Sequence, residues 1–145
     1  TRLERDALMA LLQLPEQVGA ELAADAAQAA VMNPNLATIR DAIGANLTEL
    51  GGGTWIERIQ NDVPADFKRL VTQLAVAPMP ERADRELTIY AQGVVTALIE
   101  RDLVRRKSEL VSRLQRTPVD QGEVSREIQR ELLELESKRR ALKGG

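Results

Sequence analysis

The sequence predicts an all-α fold: a compact multi-helix globule continued by a long helix into a C-terminal helical hairpin. Three observations predict it. Apolar residues recur at helical spacing along the chain, and strand-like alternation is almost absent. Proline and glycine cluster between those runs, at Pro15, Asn33-Pro34, Gly51-Gly52-Gly53, Pro64, Pro78-Met79-Pro80 and Thr117-Pro118. From Ala83 to Gln115 there is no proline, and Gly93 is the sole glycine.

The first helix begins at Thr1, which with Glu4 has the form of a capping box, and carries Leu3, Ala7, Leu8, Leu11, Leu12 and Leu14 at helical spacing. Pro15 stops it and opens a short helix from Glu16 to about Ala23, because a first-turn proline loses no needed donor. Asp25 is positioned to cap an alanine-rich helix reaching Met32. After Asn33-Pro34, a fourth helix carries Leu36, Ile39, Ala42, Ile43 and Leu47. Thr54 follows the glycine loop as a cap for a short helix with Trp55, Ile56 and Ile59. Pro64 opens another, with Phe67, Leu70, Val71 and Leu74 on one face. A long helix of about 33 residues spans 83–115, and a last one runs from Glu123 to about Leu142 after a turn at 120–122.

The apolar stripe of the long helix changes face. At about 100° per residue, Tyr90, Ala91, Val94, Val95 and Leu98 lie within roughly 80° of Leu87. Leu103, Val104, Leu110, Val111 and Leu114 lie on the opposite side. A helix buried against one body keeps one face inward, so two cores are expected. The second is a seam with Val124, Ile128, Leu132, Leu135 and Leu142 of the last helix. The expected division is a globule at 1–100 and a hairpin at 101–145, with the long helix shared between them.

Composition narrows function. The 145 residues are 43% hydrophobic and 29% charged, a globular balance. There is no His and no Cys, which excludes Cys/His zinc sites, thiol nucleophiles and a Ser–His relay. No apolar run approaches the roughly 20 residues of a membrane span, so no membrane partner is expected, and cytoplasm is the expected compartment. Beginning at Thr1 rather than Met, the chain reads as a fragment of a longer protein. The formal charge of −2 divides unevenly: residues 1–81 carry 6 basic and 11 acidic groups, residues 82–145 carry 14 and 11.

Glu4/Asp6, Asp62/Asp66 and Asp84/Glu86 fall near expected helix starts, where carboxylates meet the helix dipole; capping outweighs acid–base chemistry there. Gly51-Gly52-Gly53 lacks the Lys-Ser/Thr and the preceding strand of a phosphate loop. Catalytic, metal and cofactor residues are therefore not expected in this chain. Arg105-Arg106-Lys107, Arg113, Arg116 and Lys138-Arg139-Arg140 make the hairpin basic, which supports an alternative reading as a nucleic-acid-binding helical module. Interleaved glutamates and the lack of aromatic platforms there argue for a solvated or charge-paired surface instead. The hairpin can bury only a thin seam. Leu133, about 140° from Ile128, and Val119 at the tip are left over as docking groups.

Several segments carry a resemblance. They are Leu3-Glu4 through Gln13-Leu14-Pro15, Ile39-Arg40-Asp41-Ala42-Ile43, Leu70 through Pro78, Lys107 through Val119, Glu131 through Glu136 and Arg139 through Leu142. In this order the chain resembles the C-terminal domain of bacterial DNA primases of the DnaG type, most of all the actinobacterial branch. It departs from that pattern at Val31 and Leu36, where similar domains usually carry aromatics; a softer core is expected there.

The resemblance implies a first lobe shaped like the N-terminal domain of the replicative helicase, and a hairpin that docks on that helicase domain. Docking of this kind brings primase to the replication fork and modulates helicase and priming activity. It implies that zinc-binding and magnesium-dependent polymerase domains precede Thr1, with no cofactor in this domain. Single-strand-binding protein is a further partner of some relatives. Direct nucleic-acid binding is not implied. The docking residues expected are Arg113, Arg116, Val119, Arg126, Ile128, Arg130, Leu132, Leu133 and Leu135.

Overall fold

The computed structural model describes residues 2–80 and 83–144. Its helices are α1 (Arg2–Gln13), α2 (Pro15–Val18), α3 (Ala20–Gln28), α4 (Pro34–Ala45), α5 (Trp55–Asn61), α6 (Lys68–Val76), α7 (Asp84–Arg116) and α8 (Gly122–Gly144), with 3-10 turns at Leu47–Glu49 and Ala65–Phe67. No strand occurs among the described residues. Two compact units divide the chain, Thr1–Ile99 and Glu100–Gly145, and α7 contributes to both.

Unit 1 is built around α1. Ala7 through Leu12 are buried without interruption, the pattern of a helix covered on all sides rather than along one stripe. It packs against α2, α4 and α6, while α3 meets α4 and α5 meets α6. Ile39, Ile43, Ile59, Val71 and Leu74 fill the space between them. Long polar side chains close the gaps. Trp55 donates its indole N–H to the Leu11 carbonyl at 3.1 Å. Gln13 donates to the carbonyls of Leu74 and Ala77 at 2.8 and 2.9 Å, satisfying acceptors that the end of α6 leaves free. From α7, Ala91, Val95, Leu98 and Ile99 are buried in this unit, with Leu87, Tyr90 and Val94 half-buried.

Several local expectations are corrected. The break after Pro15 comes at Gly19, whose φ of +88° suits a glycine. Asp25 accordingly lies inside α3 instead of capping it. That helix stops at Gln28 rather than Met32 because other groups take up the backbone that follows. Arg40 donates to the Ala29 carbonyl at 2.8 Å, and the amides of Met32 and Asn33 donate to the Glu4 carboxylate at 2.6 and 3.1 Å.

Glu4 is therefore a fully buried tertiary clamp as well as a first-turn acid; Thr1, its expected capping partner, lies outside the described residues. Asn33 is the cap of α4, its side chain accepting from the amides of Asn35 and Leu36. Thr54 precedes α5 without capping it; its hydroxyl accepts from Arg58 Nε at 3.0 Å. Asp62 follows α5 instead of starting a helix, and accepts from Asn46 Nδ2 at 2.6 Å. Leu36 is buried and Val31 half-buried.

Candidate docking hairpin

Unit 2 is the second half of α7, a short turn and α8. The turn forms because Thr117-Pro118 cannot continue α7: proline has no amide to donate and its ring blocks the preceding turn. The Thr117 hydroxyl donates back to the Arg113 carbonyl at 2.7 Å, and the Gln121 amide donates to the Pro118 carbonyl at 3.0 Å. Gly122 then starts α8.

The hydrophobic seam is narrow. Leu103 and Leu110 from α7 and Ile128 and Leu135 from α8 are buried, each pair seven residues apart, with Leu114, Leu132 and Leu142 half-buried. Three expected seam residues fall outside it. Val104 and Val111 are 44% and 36% exposed, because each follows a buried leucine and so sits about 100° around the helix from it. Val124, near the turn, is 40% exposed.

Charge closes the remaining edges. Buried Asp102 pairs with Arg105 at 2.7 Å and lies 3.9 Å from Arg106. Its hydrogen bond to Arg105 is the largest cause that raises the guanidinium's pKa above the ordinary range. Arg105 also reaches Glu109 at 2.6 Å. Across the hairpin, Lys107 Nζ lies 3.3 Å from Glu136 Oε2. That hydrogen bond, helped by the lysine's charge, lowers the Glu136 pKa below the usual glutamate value. Glu100 meets Arg139 and Lys143 at 3.7 and 3.8 Å.

One flank of the hairpin opens into a groove of about 600 Å3 in which Arg106, Arg113 and Lys138 stand among Glu109, Glu131 and Glu134, over a floor of Leu110 and Leu135. Its charges balance three against three, so it is no strong site for a net anion or cation.

The nine expected docking residues separate into two groups. Ile128 and Leu135 are consumed by the seam, and Leu132 is half-buried beside them, so these three hold the hairpin together. Arg113, Arg116, Arg126 and Arg130 are exposed, and none of the four forms an ion pair with any described residue. Val119 is fully exposed and Leu133 is 70% exposed. Sequence periodicity ranks Val124 with Ile128, and only the end of the seam near the turn separates them.

Elsewhere, the Gly51-Gly52-Gly53 loop borders a shallow cavity with Glu16, Glu57 and Trp55, and Gly51 takes φ +76°. Among the described residues no group of three or more His, Cys, Asp or Glu could hold a metal ion, and no helix is long and apolar enough to cross a membrane.

Known proteins share this architecture. A family model described as DNA primase DnaG DnaB-binding matches residues 4–128. The DNA primase of Mycobacterium leprae is 30% identical over 144 residues, covering 96% of this chain and 22% of that protein. Those of Mycolicibacterium smegmatis and Mycobacterium tuberculosis are 29% identical over the same shares. The chain thus spans 22% of the length of these curated relatives. The solved helicase binding domain of primase from Mycobacterium tuberculosis matches with a TM-score of 0.75 at 28% identity, covering 97% of this chain and 89% of that one. These matches bear out the all-helical fold, the DnaG-type resemblance and its actinobacterial character.

Proposed function

The chain belongs to the DnaG DnaB-binding family of DNA primase domains, and from that premise we propose that it docks on a replicative helicase of the DnaB type through unit 2. The observation that carries this reading is the match of 97% of the chain, hairpin included, to a helicase binding domain. The physical character of the hairpin supports it. At 23 residues, α8 is about 34 Å long, enough to supply one side of a modest protein interface. Its exposed apolar and arginine side chains are of the kinds that interfaces use.

In this reading the domain is a tether and allosteric handle. Docking brings the polymerising parts of a primase to the unwinding helicase in the bacterial cytoplasm, and alters both helicase and priming rates. It requires no cofactor among these residues; zinc and magnesium chemistry belongs to the primase's other domains.

The direct test measures binding of the chain to the helicase N-terminal domain from the same organism by calorimetry. A chain ending at residue 100 serves as the comparison, with its helix content checked by circular dichroism. The intact chain binds and the folded truncation does not. Equal binding by the two would remove unit 2 from the docking site. Stimulation of helicase unwinding by the intact chain alone is the functional counterpart.

A further inference from the structure

We propose that the docking face is the outward side of α8, formed by Arg126, Arg130, Leu133 and Arg140, and that its partner is a carboxylate-rich protein surface with an apolar socket for Leu133. This deepens the docking function proposed above and rests on it.

The placement follows from the buried residues. Ile128 and Leu135 fix the side of α8 that faces the seam. At about 100° per residue, Arg126, Arg130, Leu133, Ser137 and Arg140 all fall within roughly 60° of the opposite direction. All five are exposed. Among the described residues, neither Arg126 nor Arg130 pairs with a carboxylate. Arg140 reaches Glu136 only through its field, and Glu136 is already hydrogen-bonded to Lys107. Beyond Glu123 in the first turn of α8, the stripe therefore carries three guanidinium groups and no carboxylate, although α8 is rich in glutamate. Glu127, Glu131 and Glu134 are set to one flank instead.

Unpaired guanidinium groups on a rigid helix are pre-arranged for bidentate hydrogen bonds to carboxylates. Leu133 lies in their midst, 70% exposed. A single exposed leucine is ordinary on any surface. One ringed by unpaired arginines reproduces the apolar centre and polar rim of a protein interface.

The same features choose a protein over nucleic acid. A phosphate backbone would leave Leu133 uncovered, the glutamate flank would repel it, and residues 101–145 hold no aromatic side chain to stack on a base. The groove on the hairpin flank is less suited, since its charges already offset one another.

The test uses the full chain and the helicase N-terminal domain of the same organism, titrated at low and at physiological ionic strength. Arg126→Glu/Arg130→Glu weakens binding by about thirtyfold or more and flattens its salt dependence. Leu133→Ser weakens it about tenfold and leaves the salt dependence unchanged. Glu127→Gln/Glu131→Gln, on the acidic flank, stays within about twofold. Thermal melting verifies each fold; should the glutamate pair unfold α8, Arg126→Gln/Arg130→Gln takes its place, with a loss of about fivefold or more.

If the unmodified chain binds while the arginine and leucine variants bind equally well, the face is wrong and the docking function stands. If the unmodified chain does not bind, the docking function fails and the face with it. An oligonucleotide bound more tightly than the helicase domain, and released by the arginine substitutions, overturns the proposal in favour of phosphate recognition.

Discussion

Units 1 and 2 are both helical, yet they are held together in different ways. In unit 1 the helices close on small residues. Ala7, Ala10, Ala23, Ala26 and Ala29 are all buried, and a Cβ added at Gly44 would lie 3.3 Å from that of Ala27. Large side chains from six helices fill the rest, and polar clamps such as Glu4, Gln13 and Trp55 join segments distant in sequence. In unit 2 the two helices meet through a few long aliphatic side chains a heptad apart, with salt bridges along the edges. A core that encloses a helix resists local opening, whereas a two-helix seam leaves most of each helix facing solvent. Such regions open at lower free energy and are suited to partner contact. An enclosed core and an accessible helix surface are thus allotted to different stretches of one chain.

The largest expected effects probe that contrast. Leu8→Ala, at a fully buried position, should cost about 2–5 kcal/mol in urea denaturation. Ile128→Ala in the thin seam should fall at the low end, about 2 kcal/mol, because two helices can collapse around the void more easily than six. Hydrogen exchange sharpens the comparison: Ile128→Ala should deprotect α8 while α1 stays protected. Simultaneous loss in both helices would mean that the units open as one.

Smaller effects come from the clamps and turns. Glu4→Ala should cost about 1–3 kcal/mol, since it strips the buried partner from the Met32 and Asn33 amides; chemical denaturation measures it. Gly51→Ala should lose about 1–2 kcal/mol of stability, because φ is +76° and the new Cβ would fall 2.6 Å from Glu16 Cγ. Gly93→Ala runs the other way. A Cβ there meets nothing within 4 Å, so the substitution should stabilise α7 by about 0.5–1 kcal/mol and raise the melting temperature.

The smallest effect is a pH dependence. Lys107 lowers the pKa of Glu136 in the folded chain. Its contribution is present above the unfolded glutamate pKa and is lost as pH falls through the lowered folded value. Glu136→Gln should remove that acid sensitivity from the α8 helicity measured by circular dichroism, with a small loss at neutral pH that disappears as pH falls through the lowered folded value.

Much of this was legible in the sequence. The order of the helices, the 33-residue length of α7, its change of buried face and the proline turn before α8 all follow from spacing that any α-helix must obey. The misplaced details have two causes, one local and one tertiary. Gly19 rather than Asp25 divides the helices after Pro15, since a positive φ outweighs a possible cap. Glu4 serves residues 28 and 29 positions away, and Asp62 serves Asn46; neither partnership leaves a periodic trace. At the candidate docking hairpin, exposure of Leu133 and Val119 was readable from angle and position. Periodicity also placed Ile128, Leu132 and Leu135 in the seam, where burial now keeps them from the docking surface; the exposure of Val104, Val111 and Val124 required coordinates.

By itself, the sequence determined the local conformations. Side-chain periodicity, proline's missing amide and the conformational freedom of glycine act within a few residues and need no distant partner. Tertiary structure decided which carboxylate clamps a loop, how far the seam extends and which arginines are left without a partner. Those outcomes depend on which groups, remote along the chain, come close enough to satisfy a buried donor or to exclude water.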